Sequence, residues 1–142
     1  MQIIPASIGD LEDIVQLNNL FHLEIHNFRW DTPKWIFEEI TKGNYFIGIE
    51  NGEVIAATCL LDSEEFISIE TIAVNSSRQK EGIGRAIIRF AEIYAADRGK
   101  KEIRVDSFQE YNLQKFYEAS GFKLGSTNEY EGHKYDCFSI KI

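Results

Sequence analysis

The spacing of apolar residues changes along the chain, and each change predicts an element. Residues 2–6 (QIIPA) form a short apolar run that predicts a first strand. Ser7-Ile8-Gly9-Asp10 has the spacing of a capping box. Leu11, Ile14, Val15, Asn18, Leu20 or Phe21, and Ile25 then keep a helical period, which predicts a helix from about Asp10 to His26. Thr32-Pro33 reads as an N-cap and first-turn proline opening a second helix over about 33–42, closed by Gly43. The period then drops to two. Residues 44–50 (NYFIGIE) and 53–61 (EVIAATCLL) flank Asn51-Gly52, a strong hairpin signal because both turn positions need positive φ. A polar turn at 62–65 leads to a third long strand, 66–75 (FISIETIAVN).

A helical period returns after Gly82-Ile83-Gly84. Ile83, Ile87, Phe90, Ala91 and Tyr94 form an apolar face on a helix running to about Arg98, with Gly99 as C-cap. Residues 102–108 (EIRVDSF) predict a strand, about 111–120 a short helix stopped by Gly121, and 122–130 and 133–141 two last strands joined near Glu131-Gly132. The order β-α-α-β-β-β-α-β-α-β-β contains no repeat or linker. It predicts one α+β domain over residues 1–142 with a mixed sheet.

Composition narrows the function classes. The 142 residues, 44% hydrophobic and 13% aromatic, suffice for a core. A formal net charge of −8 argues against nucleic acid as the main partner and suits a cationic small molecule or basic peptide. No apolar run approaches a membrane span, so no membrane partner is expected. Cys59 and Cys137 lie in strand-like runs without metal spacing and read as buried, reduced thiols, which with the absence of a signal-like start suggests a cytoplasmic protein. His22 and His26 are four apart, but no third ligand is evident, so no metal site is expected.

The stretch RQKEGIGR, residues 78–85, carries the candidate chemistry. Residue 87 is Ile, so a full dinucleotide GxGxxG is absent, as is a Walker loop. Two glycines can also be a plain strand-to-helix turn. Here the loop leaves a long strand and opens an amphipathic helix. Its orphan N–H groups and dipole make an anion site. Gly82 and Gly84 lack the Cβ atoms that would keep a diphosphate away, and Arg78, Gln79, Lys80 and Arg85 add donors or charge.

Gln79-Lys80-Glu81-Gly82-Ile83-Gly84 resembles the [Q/R]xxGx[G/A] signature of the GNAT superfamily, the acyl-CoA-dependent N-acetyltransferases. Thr71-Ile72-Ala73-Val74 is similar to the end of the family's fourth strand, and Phe116-Tyr117-Glu118-Ala119-Ser120-Gly121-Phe122 resembles its FYxxxGF segment. The element order matches along essentially the whole chain. The resemblance implies a mostly antiparallel sheet of about six to seven strands flanked by about four helices. It implies acetyl-CoA as cosubstrate, with the pyrophosphate on Gln79, Lys80, Glu81, Gly82, Ile83, Gly84 and Arg85. The pantetheine arm would lie along Ile72, Ala73 and Val74, where the family commonly bulges the fourth strand and splays it from the fifth. A backbone N–H near Val74 would polarise the thioester carbonyl.

By the same resemblance, Tyr117 is the general acid at sulfur; the alternative is a core tyrosine on the face of Leu113 and Phe116. Glu70 is a candidate base, read on one face with Ser68, Ile72 and Val74; the alternative is a solvent-facing or ion-paired residue. Where the family often has Asn, this chain has Glu110, and Asn112 is a substitute for contacting the cofactor arm. Glu81 beside Gly82 is unexpected, since many members carry a basic residue there. The family covers its acceptor with the early helices and their loop. In that region Glu24 and Asp31, with Glu70, can pair with a cationic amine, and Phe28 or Trp30 can offer a ring face. The expected reaction is acetyl transfer to a primary amine of a small molecule or peptide. The alternatives are a non-catalytic acyl-CoA-binding module on the same fold and a nucleotide-phosphate-binding domain. Many relatives dimerise through late strands, which leaves a homodimer open.

Overall fold

A computed structural model describes residues 1–142. Strand β1 (Gln2–Pro5) leads through a 3₁₀ turn at Ile8–Asp10 into α1 (Leu11–Asn19), and α2 (Pro33–Thr41) follows a loop. Next come β2 (Tyr45–Glu50), β3 (Glu53–Asp62), β4 (Phe66–Val74), α3 (Ile83–Asp97) and β5 (Glu102–Phe108). Helix α4 (Gln114–Ala119) and strands β6 (Lys123–Tyr130) and β7 (His133–Lys141) complete the chain. The strands form one sheet in the order β1-β2-β3-β4-β5-β7-β6. Only β4 and β5 are parallel, and α3 is the crossover that a parallel pair requires. The α+β, mostly antiparallel architecture expected from the sequence is the one observed. No helix is long and apolar enough to cross a membrane.

Local signals act where they were read. Asn51 and Gly52 turn at φ 53° and 78°, the left-handed pair that a tight hairpin demands. Ser7 N–H donates to Asp10 Oδ2 at 2.8 Å, closing the capping box, and Thr32 Oγ1 accepts from Trp35 N–H at 3.4 Å. The sheet buries both faces. Ile14, Leu17, Ile36 and Ile40 of α1 and α2 pack on Ile47 and Ala73. Ile88, Ala91 and Ala95 of α3 pack on the opposite face with Ile67, Ile69 and Val105.

The first long helix is shorter than its apolar period. It ends at Asn19 rather than His26. The Asn18 amide donates to the Trp30 carbonyl at 2.8 Å and to the Tyr45 hydroxyl at 2.7 Å, and the Tyr111 hydroxyl donates to the Phe21 carbonyl. These bonds draw residues 20–31 back across the sheet as a loop, and Ile25 and Phe28 become buried there without helical structure. The short helix expected over 111–120 is also divided, into a 3₁₀ turn at Gln109–Tyr111 and α4, with Asn112 left-handed between them (φ 54°). The thiols correct a further expectation: Cys59 is buried, whereas Cys137 is only partly so.

The site depends on a bulge in β4. Leu60 pairs with Ile69 and Cys59 with Thr71, so Glu70 is the extra residue. The extra residue reverses the alternation. Ile67 and Ile69 face α3 before it, Ile72 and Val74 face α3 after it, and Ala73 faces α1 and α2. Ser68 and Glu70 therefore do not share a face with Ile72 and Val74, contrary to the period-two reading. Thr58 Oγ1 donates to the Thr71 carbonyl at 2.7 Å, and the Tyr45 hydroxyl lies 3.0 Å from Thr71 Oγ1, which fixes the bulge with buried polar partners. Pairing of β4 with β5 stops at Ile69↔Val105 although both strands continue, so they splay beyond the bulge.

Burial holds the Tyr45 and Tyr117 phenols well above the ordinary phenol value. An unfolded tyrosine titrates near pH ~10. Above that pH the unfolded chain releases protons that the folded chain keeps, so stability falls as pH rises. Urea unfolding should show these two groups contributing nothing to the pH slope below about pH 9. Above about pH 10 they should lower stability by up to about 2.7 kcal/mol per pH unit, one proton each.

Candidate functional site

The splay between β4 and β5 opens into a cavity of about 300 Å³. Ile72, Val105, Leu113 and Tyr117 bound it toward α3 and α4. Glu70 and Asp106 line it at the level of the sheet, and Phe28, Trp30, Phe108 and Tyr130 close it on the side of the α1–α2 loop. The cavity thus passes through the sheet where ladder bonds are missing.

Tyr117 is 5% exposed and packs against Phe116, Phe122 and Phe138 at ring-centroid distances of 5.1, 5.7 and 5.3 Å. Its hydroxyl makes no hydrogen bond within the protein, and burial keeps it protonated. It is both a core residue and a cavity wall. Glu70, in the bulge, accepts from Trp30 Nε1–H at 2.9 Å through Oε1. No Lys, Arg or His pairs with it, so neither the solvent-facing nor the ion-paired alternative describes it. Trp30 in turn contacts Phe28, Phe108 and Tyr130 edge-on, at 5.1, 5.9 and 5.5 Å.

Of the four acceptor residues read from the sequence, the structure brings Phe28 and Trp30 into the cavity. Glu24 is almost fully exposed, its Oε1 3.3 Å from His22 Nε2. Asp31 is buried with Oδ2 2.6 Å from His22 Nδ1, outside the cavity lining. Further residues line it that sequence reasoning did not single out, among them Asp106, Phe108, Tyr130 and Tyr135. Pairing of β5 with β7 sets Tyr135 opposite Phe108 and places Asp106 beside it. No local pattern marks these positions, because the last strands read as ordinary β-sequence.

The glycine loop lies at the other end of β4. Lys80 (φ 68°) and Gly82 (φ 83°) are left-handed, and Gly82 caps α3 with nothing within 4 Å of where a Cβ would stand. Residues 79–82 are exposed. Lys80 and Arg85 are exposed and unpaired, whereas Arg78 is engaged. Arg78 Nε donates to both Glu81 oxygens at 2.9 and 3.1 Å, and Nη2 donates to Glu50 Oε1 at 2.8 Å. Glu81 is thereby accounted for: it is neutralised by Arg78 and braces the loop against β2. Arg78, which the sequence suggested as an anion donor, serves that brace. Hydrogen bonding to Arg78 holds the Glu50 carboxyl below the usual range.

Gly84 has a structural reason besides the one read in the sequence. A Cβ there would stand 3.2 Å from Phe116 Cζ, so its absence seats α3 against α4. Gly84→Ala should shift the thermal midpoint by no more than a few degrees, since helix propensity favours Ala by up to about 1 kcal/mol. Gly84→Val should drive methyls into the Phe116 ring and cost about 1–3 kcal/mol in urea unfolding. Glu110, at the family's Asn position, is held by His133, which depresses its carboxyl below the usual range. Asn112 lies outside the main cavity, on a smaller polar one with Gln109 and Asp136.

Residues 11–122 match the family described as the acetyltransferase (GNAT) family. No curated protein matches the chain. Several solved structures share its fold. The PaiA N-acetyltransferase of Thermoplasma acidophilum, solved in complex with coenzyme A, aligns with a TM-score of 0.83 at 16% identity, over 99% of this chain and 98% of that one. The ribosomal-protein-S18-alanine N-acetyltransferase of Escherichia coli aligns at 0.80 and 19% identity, over 99% and 93%. An aminoglycoside 6'-N-acetyltransferase complexed with coenzyme A aligns at 0.81 and 14%, over 99% and 97%.

Proposed function

The chain belongs to the GNAT acetyltransferase family, and from that premise we propose that it moves an acetyl group from acetyl-CoA to a primary amine within a ternary complex. One observation carries the reading. The β4 bulge opens a cavity through the sheet that has an unpaired phenol, Tyr117, on one side and a carboxylate without a basic partner, Glu70, on the other.

The chain's residues fit the cosubstrate. The open left-handed Gly82 and the first N–H groups of α3 suit a pyrophosphate, with Gln79, Lys80, Ile83, Gly84 and Arg85 around it. Glu81 acts there through its brace with Arg78. Ile72 and Val74, on either side of Ala73, offer backbone groups to the pantetheine arm beside the splay, and the Val74 N–H faces the task of polarising the thioester carbonyl. The N-acetyltransferases of similar fold that were solved with coenzyme A support this choice.

The acceptor enters as an ammonium and gives a proton to Glu70, directly or through water. Trp30 occupies Glu70 Oε1, which leaves Oε2 for this transfer. The amine nitrogen attacks the thioester carbonyl and a C–N bond forms; the nitrogen then gives its second proton to water as the tetrahedral intermediate collapses and the C–S bond breaks. Tyr117 donates its proton to the departing sulfur, and the resulting phenolate is reprotonated from solvent. Burial opposes phenolate, and it opposes the thiolate in the same space, so proton transfer and C–S cleavage are coupled.

The test is release of CoA thiol when the protein, acetyl-CoA and a broad set of primary amines are mixed. Amine-dependent release of thiol with formation of the N-acetyl amide is expected. Thiol release that is indifferent to amine, or none at all, would overturn the proposal.

A further inference from the structure

We infer that the acceptor is a small monocationic amine carrying one aromatic or similarly apolar group, and that polyamines and polypeptides are excluded. This rests on the acyl-transfer reading above and names the substrate class of the same site. Three independent features of the cavity lead to it.

The first is the wall. Trp30, Phe108, Tyr130 and Tyr135 surround the acceptor side, and their rings meet one another edge-on or tilted, with Phe108 at 5.9 Å from Trp30, 6.2 Å from Tyr130 and 6.1 Å from Tyr135. Such a box holds an apolar ring well and offers faces to a single cation. Beyond Glu70 and Asp106 the lining provides no carboxylate for a string of ammonium groups.

The second is the order of charges. Glu70 and Asp106 lie at the level of the sheet, next to the reaction point. Arg29 lines the cavity beside Trp30, its guanidinium 4.8 Å from the indole centroid, and it is exposed. An acceptor therefore meets negative charge at its reacting end and positive charge at its far end. A second ammonium, as in a polyamine, would be repelled by Arg29 at the exposed rim, where solvent screens part of the repulsion.

The third is the cover. The Tyr130 hydroxyl donates to the Asn27 carbonyl at 2.8 Å, and Asn27 Nδ2 donates to Glu131 Oε1 at 3.4 Å. The tip of the β6–β7 hairpin thus grips the α1–α2 loop across the mouth. An extended peptide needs an open groove in which its chain can run on past the reacting amine, and this bridge obstructs it on the hairpin side.

The experiment compares 2-phenylethylamine, spermidine and a short peptide with a free N-terminus as acceptors, by thiol release and by calorimetric binding. The expected kcat/KM for 2-phenylethylamine is at least about tenfold above either competitor. Arg29→Glu, an exposed change, should raise kcat/KM for spermidine about tenfold or more and leave acetyl-CoA affinity unaltered. Tyr130→Ala should raise the KM for 2-phenylethylamine about tenfold while the circular dichroism stays native. Acetylation of spermidine or the peptide in preference to 2-phenylethylamine would overturn the inference and leave acyl transfer standing. Binding of 2-phenylethylamine, weakened by Tyr130→Ala, without any transfer would uphold the acceptor box and defeat the acyl-transfer reading. Absence of binding by all three amines would overturn the inference.

Discussion

Tyr117→Phe should lower kcat by about 10²–10⁴-fold, the range for loss of a positioned proton donor. Acetyl-CoA affinity should stay within about twofold, because the substitution removes an interaction made at the leaving sulfur and not in the ground state. Stability should hold, since the lost hydroxyl has no hydrogen-bond partner within the protein and the ring keeps its contacts with Phe116, Phe122 and Phe138. Steady-state kinetics beside urea unfolding separates these quantities. The core reading and the acid reading of Tyr117 make opposite forecasts: a purely structural tyrosine gives unchanged turnover in the Phe variant. Unchanged turnover would remove the proton donor from the account, and binding of acetyl-CoA without transfer to any amine would favour a non-catalytic acyl-CoA-binding module.

Gly82→Asp should weaken acetyl-CoA binding by about a hundredfold. Like charges at about 4 Å repel by about 4 kcal/mol where the effective dielectric is near 20, and part of this is screened. A remainder of about 2.8 kcal/mol is two factors of ten. The left-handed conformation (φ 83°) adds strain for any side chain, and Asn separates that strain from charge, because Asn and Asp tolerate this region similarly. Gly82→Asn should therefore lose much less, about tenfold or below. Calorimetric titration of both variants reads the difference. Equal losses for Asn and Asp would mean that no anion sits at this helix start.

Much of the fold was legible because local and tertiary preferences agree. The Asn51-Gly52 hairpin, the Thr32-Pro33 helix start and the apolar face of α3 needed only the chain itself. Disagreement arose where distant partners intervene. Asn18 bonds the Trp30 carbonyl and Tyr45, and so α1 stops although the apolar period continues toward Ile25. Glu70 is a bulge residue only because Cys59 and Leu60 pair on either side of it, and a period-two reading of β4 has no sign of that skip.

The glycine loop was visible as a motif, but its supports were not. Glu81 makes sense once Arg78 is seen bridging it to Glu50 on another strand, and Gly84 once Phe116 is seen beside it. In the cavity wall, Phe28 and Trp30 come from one loop and were within reach of sequence reasoning. Tyr130 and Tyr135 were not, because the β5–β7 ladder pairs Tyr135 with Phe108 across an intervening helix and strand, and the hairpin contact joins Tyr130 to Asn27, 103 positions away. The fold leaves the acceptor open in principle: solved N-acetyltransferases that it resembles are named for a ribosomal-protein alanine and for an aminoglycoside. The lining of this cavity, rather than the sheet around it, carries the choice.

Titration of the intact protein with acetyl-CoA in a calorimeter tests the central claim most directly. Saturable binding of one acetyl-CoA per chain is expected, and excess ATP or NAD should not displace it. Absence of binding, or displacement by either nucleotide at comparable concentration, would contradict it.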